Sequence, residues 1–375
     1  MNNSNQYSAP AQAERLKQFM TQLALLYPEV SAELRHGEPM SQHTTFRVGG
    51  PAALYWNPSD IDTLAQIMQL AAQAGIPVTL LGQGSNALVE DGGLPGLTIQ
   101  LNENLAKLNC LSPAEAGSWL EQQRPGSAAH SIRYDDAVIY VLAQSGCRLS
   151  QLAEFAAANS LSGLEFACGI PGSIGGAVFM NAGAYGYSLG DFITASRYID
   201  SRPPCGLNCS VGEEHEFSYR HSLYEDNGGA VVEVLFCLQK GDQAQIRARM
   251  ADYTARREAS QPLEFPSAGS VFRRPVGYFA GKLISDAGLR GCRIGGAEVS
   301  QKHAGFIINV DHATADDVKA LIRHIRETVY QLNGVDLQPE VRILGAPLVP
   351  DEGANNRESG SHRLPANWSV RRSAN

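Results

Sequence analysis

One glycine-rich segment, residues 169–186, constrains the fold of this chain more than any other. Its sequence, GIPGSIGGAVFMNAGAYG, contains six glycines with large apolar residues such as Ile174 and Phe179 between them. A flexible linker would lack those apolar residues, so the segment is predicted to form buried turns. Such turns present backbone N–H groups to an anion, most often a phosphate. Tight turns in a sandwich that bind nothing are the alternative interpretation.

A second glycine-rich turn, residues 82–86 (GQGSN), follows the apolar segment 78–81, which is predicted to be a buried strand. Its spacing is not GxGxxG, because Ala87 stands in place of the third glycine, and no amphipathic helix follows. A dinucleotide-binding βαβ unit requires both features. The turn is therefore predicted to join two strands and to hold a diphosphate with its own N–H groups.

Length, charge and hydropathy exclude several classes of protein. The 375 residues suffice for two or three domains, and the net charge of −8 argues against a general nucleic-acid binder. No apolar run reaches the length of a membrane helix, and the polar N-terminus lacks the apolar centre of a signal peptide. We therefore expect a cytoplasmic protein with no nucleic-acid partner, no membrane insertion and no obligatory protein partner.

The cysteines indicate reduced thiols rather than disulfides or a metal site. There are seven, an odd number without framework spacing. Cys205 and Cys209 lie close together, and His215 is the one further ligand nearby. A structural zinc site needs four ligands, so no metal is predicted.

A basic region lies in the last third of the chain. Between residues 267 and 306, Asp286 and Glu298 are the two acidic residues against six basic ones, a local charge of +4. The six are Arg273, Arg274, Lys282, Arg290, Arg293 and Lys302. Basic side chains among glycines suit a small anionic ligand such as a nucleotide-sugar diphosphate. A solvated basic surface is the alternative.

The apolar spacing also predicts individual elements in the second half of the chain. Residues 243–257 are predicted to be a helix with Ile246, Met250 and Tyr253 facing inward, and Thr314 with Asp317 marks the start of another. Residues 216–219 and 335–344 are predicted to be strands.

Seven motifs, taken in order, resemble the UDP-N-acetylenolpyruvoylglucosamine reductases of peptidoglycan synthesis. Each motif is short, but seven in the right order are specific, and together they cover about residues 42–345. They are TFRVGGPA (45–52), LGQGSN (81–86), GLE (163–165), the 169–186 segment, YR (219–220), AGSVF (268–272) and PEVR (339–342). The SAGSVFRRP version, with AGKLI at 280–284, resembles the shorter, second type of these reductases.

The resemblance implies an α+β protein with a two-part FAD-binding fold of the vanillyl-alcohol-oxidase (PCMH) type and a C-terminal α+β substrate-binding domain. The expected parts are an N-terminal surface extension (1–30), FAD-binding subdomain 1 (31–102), FAD-binding subdomain 2 (103–240), the substrate-binding domain (241–346) and a disordered tail (347–375). Residues 103–137 match the family pattern poorly and are expected to be an irregular insertion.

The resemblance also implies the chemistry and its partners. NADPH is the co-substrate, FAD is bound non-covalently, and UDP-N-acetylglucosamine enolpyruvate is reduced to UDP-N-acetylmuramate. Ser270 corresponds to the proton donor and Arg220 to the arginine facing the substrate carboxylate. Glu340 corresponds to the glutamate that works with this arginine. A carboxylate in an apolar segment is costly to bury alone, so Arg220 is its expected partner.

Further residues are carried over by position. The residues implied for FAD are Arg47, Gly82, Gln83, Gly84, Ser85, Asn86, Gly169, Ile170, Pro171, Gly172, Ser173, Gly175, Gly176 and Asn181. Those implied for the substrate are Tyr219, Arg274, Lys282, Lys302 and His303. Two positions depart from the family. Gln83 stands where glycine is common, and Arg274 stands where the longer type has an asparagine that contacts the substrate. The tyrosine-bearing substrate loop of that longer type is not found.

Two other functions remain open from the sequence. One is a sugar or lactone oxidase of the same flavin fold, many of which tether FAD through a histidine or cysteine near the phosphate turn. Residues 82–86 contain neither, and Cys168 adjoins the other turn. The second is a nucleotide-sugar or flavin-binding protein without turnover, against which Ser270, Arg220 and Glu340 occurring together argue.

Overall fold

A computed structural model describes residues 9–202 and 205–346. The predicted tail at 347–375 and the first part of the predicted extension at 1–30 lie outside these residues. The α-helices of the described residues are α1 Ala9–Leu26, α2 Pro28–Glu33, α3 Ile61–Gln73, α4 Pro113–Gln123, α5 Ala128–Ser131, α6 Leu149–Ala158, α7 Ile174–Phe179, α8 Leu223–Asn227, α9 Gln243–Ser260, α10 Ala280–Asp286 and α11 Ala315–Asn333.

Eighteen β-strands are distributed along the described residues. They are β1 Arg35–Pro39, β2 Pro51–Trp56, β3 Val78–Leu81, β4 Ala87–Val89, β5 Leu94–Gln100, β6 Leu108–Leu111, β7 Val138–Gln144, β8 Leu161–Ser162, β9 Gly183–Ala184, β10 Tyr187–Ser188, β11 Ile193–Ile199, β12 Leu207–Val211, β13 Ala230–Lys240, β14 Ser267–Ser270, β15 Arg293–Ile294, β16 Ala297–Val299, β17 Phe306–Asn309 and β18 Arg342–Leu344. None of the described helices is both long enough and apolar enough to cross a bilayer.

Subdomain 1 is built on a four-stranded sheet in the order β1-β2-β5-β3. Strands β2 and β3 are parallel to β5, and α3 covers the sheet with Leu64 and Ile67. The N-terminal helix α1 belongs to the same core, where Phe19 and Leu23 are fully buried. The expectation of a surface extension at 1–30 is therefore wrong for α1, because its apolar stripe packs on the sheet.

Subdomain 2 contains a six-stranded sheet in which β12-β11-β13-β7-β6 are neighbours and β8 pairs with β13. Alternate residues of β7 and β13 face opposite sides, so both sides are covered. Leu149 and Leu152 of α6 pack on one face, and Ala116 and Leu120 of α4 pack on the other.

The segment 103–137 is not an irregular insertion. It supplies the edge strand β6, which pairs with β7, and the covering helix α4. Ser112 caps α4, accepting from the N–H of Glu115, whose carboxylate accepts from the N–H of Ser112. The interrupting Pro113 lies in the first turn of that helix, where proline is tolerated.

The C-terminal domain is an antiparallel sheet, β14-β17-β16-β15, packed against α10 and α11. Thr314 and Asp317 form the predicted capping box of α11. The predicted strand at 335–344 is reduced to β18, which pairs in parallel with β4 of subdomain 1. The predicted strand at 216–219 is absent, and Ser218 and His221 form an isolated bridge across a turn.

The helix α9 was expected in the substrate-binding domain, but it packs on subdomain 2. Ile246 is buried, Arg247 pairs with Glu154, and Arg249 pairs with Glu165. The change from subdomain 2 to the C-terminal domain therefore falls after α9 rather than at residue 241.

Candidate active site

The three parts of the chain enclose a cleft of about 1090 Å³. This exceeds the range of about 300–1,000 Å³ that is usual for small-ligand pockets. Both glycine-rich turns, at 82–86 and 169–176, line it, together with residues of β14 and the segment before β18. The cleft can therefore accept a large ligand that touches all three parts.

The first glycine turn (residues 82–86) leaves the end of β3 at the cleft wall. Gly84 has φ +62°, and a Cβ there would lie 2.3 Å from the carbonyl oxygen of His43. A Cβ on Gly82 would lie 2.3 Å from Ser173 Oγ. Backbone atoms exclude a side chain at Gly84, and one at Gly82 would displace the Ser173 hydroxyl, so this backbone lies close to the second turn and open to a ligand.

The second glycine turn (residues 169–176) faces the first. Ser85 Oγ donates to the carbonyl oxygen of Pro171 at 2.9 Å and so joins the two turns. The bond from Ile174 N–H to the carbonyl oxygen of Cys147 anchors the second turn to subdomain 2. Ser173 is 1% exposed, and its hydroxyl has no hydrogen-bond partner among the described residues.

The two turns also leave backbone donors free. Within the described part of the chain, no protein acceptor is paired with the N–H groups of Gly82, Gln83, Gly84, Ser85, Asn86, Gly172, Ser173 and Gly176. A buried hydroxyl without a partner and a row of free N–H groups at one wall form a site for an anion such as a diphosphate.

An ion pair lies elsewhere along the cleft. Arg220 Nε donates to Glu340 Oε1 at 2.7 Å, with side chains 23% and 12% exposed. Arg220 has φ +57°, a strained conformation for a residue with a side chain. Asn181 supports this turn, because its Nδ2 donates to the carbonyl oxygen of Ser218 at 2.9 Å. The expected pairing of Glu340 with Arg220 is present.

Ser270 ends β14 and lines the same cleft. Gly269 before it has φ +74°, and the N–H of Val271 donates to Gly305 at 2.9 Å. His303 also lines the cleft and accepts the N–H of Gly305 on Nδ1 at 3.1 Å. Burial lowers the pKa of His303, which favours the neutral ring, and a neutral ring that accepts on Nδ1 carries its proton on Nε2.

The cleft brings together most of the residues that the sequence singles out. The proposed catalytic residues Arg220, Ser270 and Glu340 all line it. So do Arg47, Gly82, Gln83, Gly84, Ser85, Asn86, Ile170, Pro171, Gly172, Ser173, Gly175, Gly176 and His303. The exceptions are Gly169, Asn181, Tyr219, Arg274, Lys282 and Lys302.

Three basic residues that were expected to bind the substrate contact other parts of the protein instead of lining the cleft. Lys282 pairs with Asp286 at 2.8 Å on the exposed face of α10, and Lys302 Nζ donates to the carbonyl oxygen of Glu258 at 2.6 Å. The guanidinium of Arg274 stacks on Phe279 at 4.0 Å. The net positive charge of this region is thus largely a solvated surface, which was the alternative interpretation.

Three further candidates contact protein groups next to the cleft but do not line it: Tyr219, Asn181 and Gly169. The hydroxyl of Tyr219 accepts the N–H of Arg274 at 3.3 Å, and its ring lies 5.2 Å from the guanidinium carbon of Arg220. Both side-chain amide groups of Asn181 are occupied by backbone partners. A Cβ on Gly169 would lie 2.5 Å from Cδ of Arg257, so this glycine makes room for that side chain.

Sequence reasoning missed several cleft residues, among them Arg257, Gln261 and Arg342. Arg257 Nε and Gln261 Oε1 are buried without a hydrogen-bond partner in the described part of the chain. Burial lowers the pKa of Arg257. For Arg257 the signal was available, because it continues the inward stripe of α9 one turn beyond Tyr253, whereas Gln261 follows the end of the helix in an extended conformation.

Sequence comparison agrees with this architecture. A sequence model described as the UDP-N-acetylenolpyruvoylglucosamine reductase C-terminal domain matches residues 261–344, and one described as an FAD binding domain matches residues 127–202. The predicted α+β fold class, a PCMH-type FAD-binding fold with a C-terminal domain, is confirmed.

Named relatives match most of the chain. The UDP-N-acetylenolpyruvoylglucosamine reductase of Geobacillus kaustophilus is 46% identical over 308 residues, covering 82% of this chain and 92% of its own. That of Lactiplantibacillus plantarum is 42% identical, covering 84% and 95%. The crystal structure of the Thermus caldophilus reductase superposes with a TM-score of 0.64 at 32% identity, covering 82% and 97%. The chain belongs to the UDP-N-acetylenolpyruvoylglucosamine reductase family.

Proposed function

We propose that this protein reduces UDP-N-acetylglucosamine enolpyruvate to UDP-N-acetylmuramate, with NADPH as reductant and FAD as non-covalent cofactor. The reaction supplies a precursor of peptidoglycan, and we place it in the cytoplasm, the compartment that supplies NADPH. One observation supports this proposal above all others. A single cleft joins a row of free backbone N–H groups to Ser270 and to the Arg220–Glu340 pair.

The residues of the two glycine turns fit a flavin dinucleotide. The free N–H groups and the unpartnered hydroxyl of Ser173 suit the oxygens of a diphosphate. A side chain at Gly84 would collide with the backbone of His43, and one at Gly82 would displace the Ser173 hydroxyl, so the ligand meets backbone there. FAD, when bound, supplies the redox chemistry that carries hydride from NADPH to the enolpyruvyl double bond.

The residues of the chain supply a proton and charge stabilisation. Hydride adds to one carbon of the double bond, and Ser270 Oγ gives a proton to the carbon next to the carboxylate. A serine hydroxyl is a weak acid in water, so it acts only when its surroundings assist it. Ser270 recovers its proton from solvent after product release.

Arg220 is assigned to the substrate carboxylate, where negative charge builds up before protonation. A fixed guanidinium stabilises that charge without reorganisation. Glu340 accepts from Nε of Arg220, and the carbonyl oxygen of Gly183 accepts from Nη2 at 3.4 Å, which leaves the Nη1 donors for the substrate. The strained backbone of Arg220 is consistent with a side chain held in place for function.

Oxidation of NADPH by the purified protein, with and without the enolpyruvyl substrate, tests this proposal. We expect a yellow protein whose NADPH consumption requires the substrate. A colourless protein that takes up no added FAD would overturn the flavin assignment. A yellow protein that ignores the substrate and reduces oxygen would instead be an oxidase. One that binds both ligands without oxidising NADPH would be a binding protein.

A further inference from the structure

A cluster of polar side chains lies beneath the first glycine turn. Tyr55 and Gln100 are buried, 1% and 8% exposed, and the His43 ring lies beside them. His43 Nε2 is 2.8 Å from Glu38 Oε1, and Nδ1 is 3.0 Å from Gln100 Oε1. The Tyr55 hydroxyl donates to the same Gln100 oxygen. None of these four residues lines the cleft, so none has a direct role in the proposed reaction.

The cluster fixes the orientation of the Gln100 amide. Its Oε1 faces the Tyr55 hydroxyl and the His43 ring, while its Nε2 donates to the carbonyl oxygen of Gly82 at 2.7 Å. A flipped amide would place an oxygen against that carbonyl and an NH₂ group against the tyrosine donor. The whole cluster thus directs one N–H donor at one backbone carbonyl of the turn.

The orientation of the Gly82 carbonyl determines the direction of the Gln83 N–H, because both belong to one peptide group. In a trans peptide the C=O and the following N–H point in opposite directions. Because Gln100 holds the Gly82 oxygen, the N–H of Gln83 points away from Gln100. This N–H is among those without a protein acceptor.

A second contact holds the far side of the turn. The N–H of Thr45 donates to the carbonyl oxygen of Gly84 at 3.3 Å, and the missing side chain of Gly84 makes room for the backbone of His43. His43 therefore contacts the turn through its backbone and supports Gln100 through its ring. The segment 43–45 thus supports two peptides of the turn, Gly82–Gln83 through Gln100 and Gly84–Ser85 through the N–H of Thr45.

We propose that Gln100, held by Tyr55 and the His43–Glu38 pair, is a positioning residue that sets the N–H groups of the first glycine turn for the flavin diphosphate. The inference rests on the proposed function, because it assigns FAD to this turn. Gln100 touches neither FAD nor substrate and acts through the Gly82–Gln83 peptide. Its loss should weaken FAD binding while leaving the chemical step unchanged once FAD is bound.

The test compares Gln100→Glu with wild type. Glutamate keeps the size and one acceptor oxygen but replaces the donor to Gly82 with an oxygen that repels the carbonyl. We expect the FAD dissociation constant, measured by quenching of flavin fluorescence, to rise about tenfold or more, as the loss of one buried hydrogen bond predicts. At saturating FAD, kcat should stay within about twofold of wild type.

Two further variants separate positioning from folding. Gln144→Leu removes a part-buried strand glutamine that accepts from Lys107 N–H in subdomain 2, and it should leave FAD affinity unchanged. Tyr55→Phe removes the donor to Gln100 but keeps the bond to Gly82, so we expect a smaller loss of affinity, about threefold. If Gln100→Glu does not fold, Tyr55→Phe decides the question.

The outcomes distinguish this inference from the proposed function. If wild type takes up no FAD, both are overturned. If wild type binds FAD and Gln100→Glu binds it equally well, the positioning role alone is overturned. Equal losses of affinity in Gln144→Leu and Gln100→Glu would mean general destabilisation and would also overturn it.

Discussion

Arg220 of subdomain 2 donates from Nε to Glu340, 120 residues later in the chain and just before β18, at 2.7 Å. The pair links subdomain 2 to the C-terminal segment before β18 across the cleft. In Glu340→Gln the acceptor remains but its charge is lost. Because hydrogen bonds to charged groups contribute about 1.5–3 kcal/mol, we expect turnover to fall about tenfold to a hundredfold. Stopped-flow reoxidation of the NADPH-reduced enzyme by the substrate measures this directly.

The matched control for that variant is Glu225, which belongs to another ion pair of the cleft lining. Arg342 pairs with Glu225 at 3.0 Å, and both residues line the cleft beside the Arg220 pair. Glu225→Gln should change turnover less than Glu340→Gln does. Equal effects would show that the general electrostatic field of the cleft matters, rather than the Arg220–Glu340 bond.

Replacement of Ser270 should separate the two halves of the reaction. In Ser270→Ala we expect flavin reduction by NADPH at the wild-type rate, since the hydroxyl has no part in that step. Reoxidation by the enolpyruvyl substrate should slow by about 10²–10⁴-fold, the usual contribution of a positioned proton donor. Ser270→Cys, which retains a proton donor, should recover part of the loss. A Ser270→Ala enzyme with normal reoxidation would contradict the assignment.

Ser173 offers a test of the anion site that does not depend on turnover. Its hydroxyl has no hydrogen-bond partner in the described structure and lies at the cleft. Ser173→Ala should therefore leave the apo-protein as stable as wild type, because no internal bond is lost. The FAD dissociation constant should rise about tenfold, as measured by flavin fluorescence.

Ser145 is the control for that experiment. Its hydroxyl is likewise buried without a partner, but it does not line the cleft. Ser145→Ala should leave FAD affinity unchanged. Gly84→Ala should lose FAD more completely than Ser173→Ala, because its Cβ would lie 2.3 Å from the backbone carbonyl oxygen of His43 at φ +62°. A Gly84→Ala protein that binds FAD normally would show that FAD lies elsewhere.

The site was predictable where backbone conformation limits the choice of residue. Gly84 and Gly172 have φ of +62° and +139°, which other residues rarely adopt. Clustered glycines therefore predict turns from sequence alone, and the turns at 82–86 and 169–176 both line the cleft as expected. The capping box of Thr314 and Asp317 was also predictable, because it depends on residues three apart.

Long-range contacts were not predictable in the same way. Lys282 and Lys302 share the local charge of the basic region, yet they face Asp286 and the backbone of Glu258. Sequence position cannot decide which side of a domain faces a cleft. The residues around Pro113 appeared irregular because proline and glycine interrupt them, although they form a capped helix on the sheet.

His215 should make stability depend on pH on the acid side. The ring is fully buried, with Nδ1 2.7 Å from the carbonyl oxygen of Gly212 and Nε2 2.8 Å from Ser196 Oγ. Burial lowers its pKa below the usual 6.5. Between 6.5 and the folded pKa the unfolded chain binds more protons, so the free energy of unfolding falls as pH falls through this window.

Urea denaturation at pH 8.0, 6.5 and 5.5 measures this effect for wild type and His215→Asn. The variant should be less stable at pH 8.0, because it disrupts a buried network, but should lose less stability on acidification. Some slope will remain, since burial lowers the pKa of His303 as well. A His215→Asn protein with the wild-type slope would show that other groups account for the pH dependence.

Asp91 of subdomain 1 docks the C-terminal domain. Its carboxylate accepts the N–H groups of Ala315 and Asp316, at 2.9 and 3.0 Å, in the first turn of α11. Because helix N-termini leave such donors unsatisfied, we expect Asp91→Ala to lower the free energy of unfolding by about 1–2 kcal/mol. Asp60→Ala, which removes the cap of α3 inside subdomain 1, should cost a similar amount. Only Asp91→Ala should also lower kcat/KM for the enolpyruvyl substrate, because it loosens the domain that carries Ser270. Equal kcat/KM values in the two variants would show that this contact stabilises the fold without holding the cleft in shape.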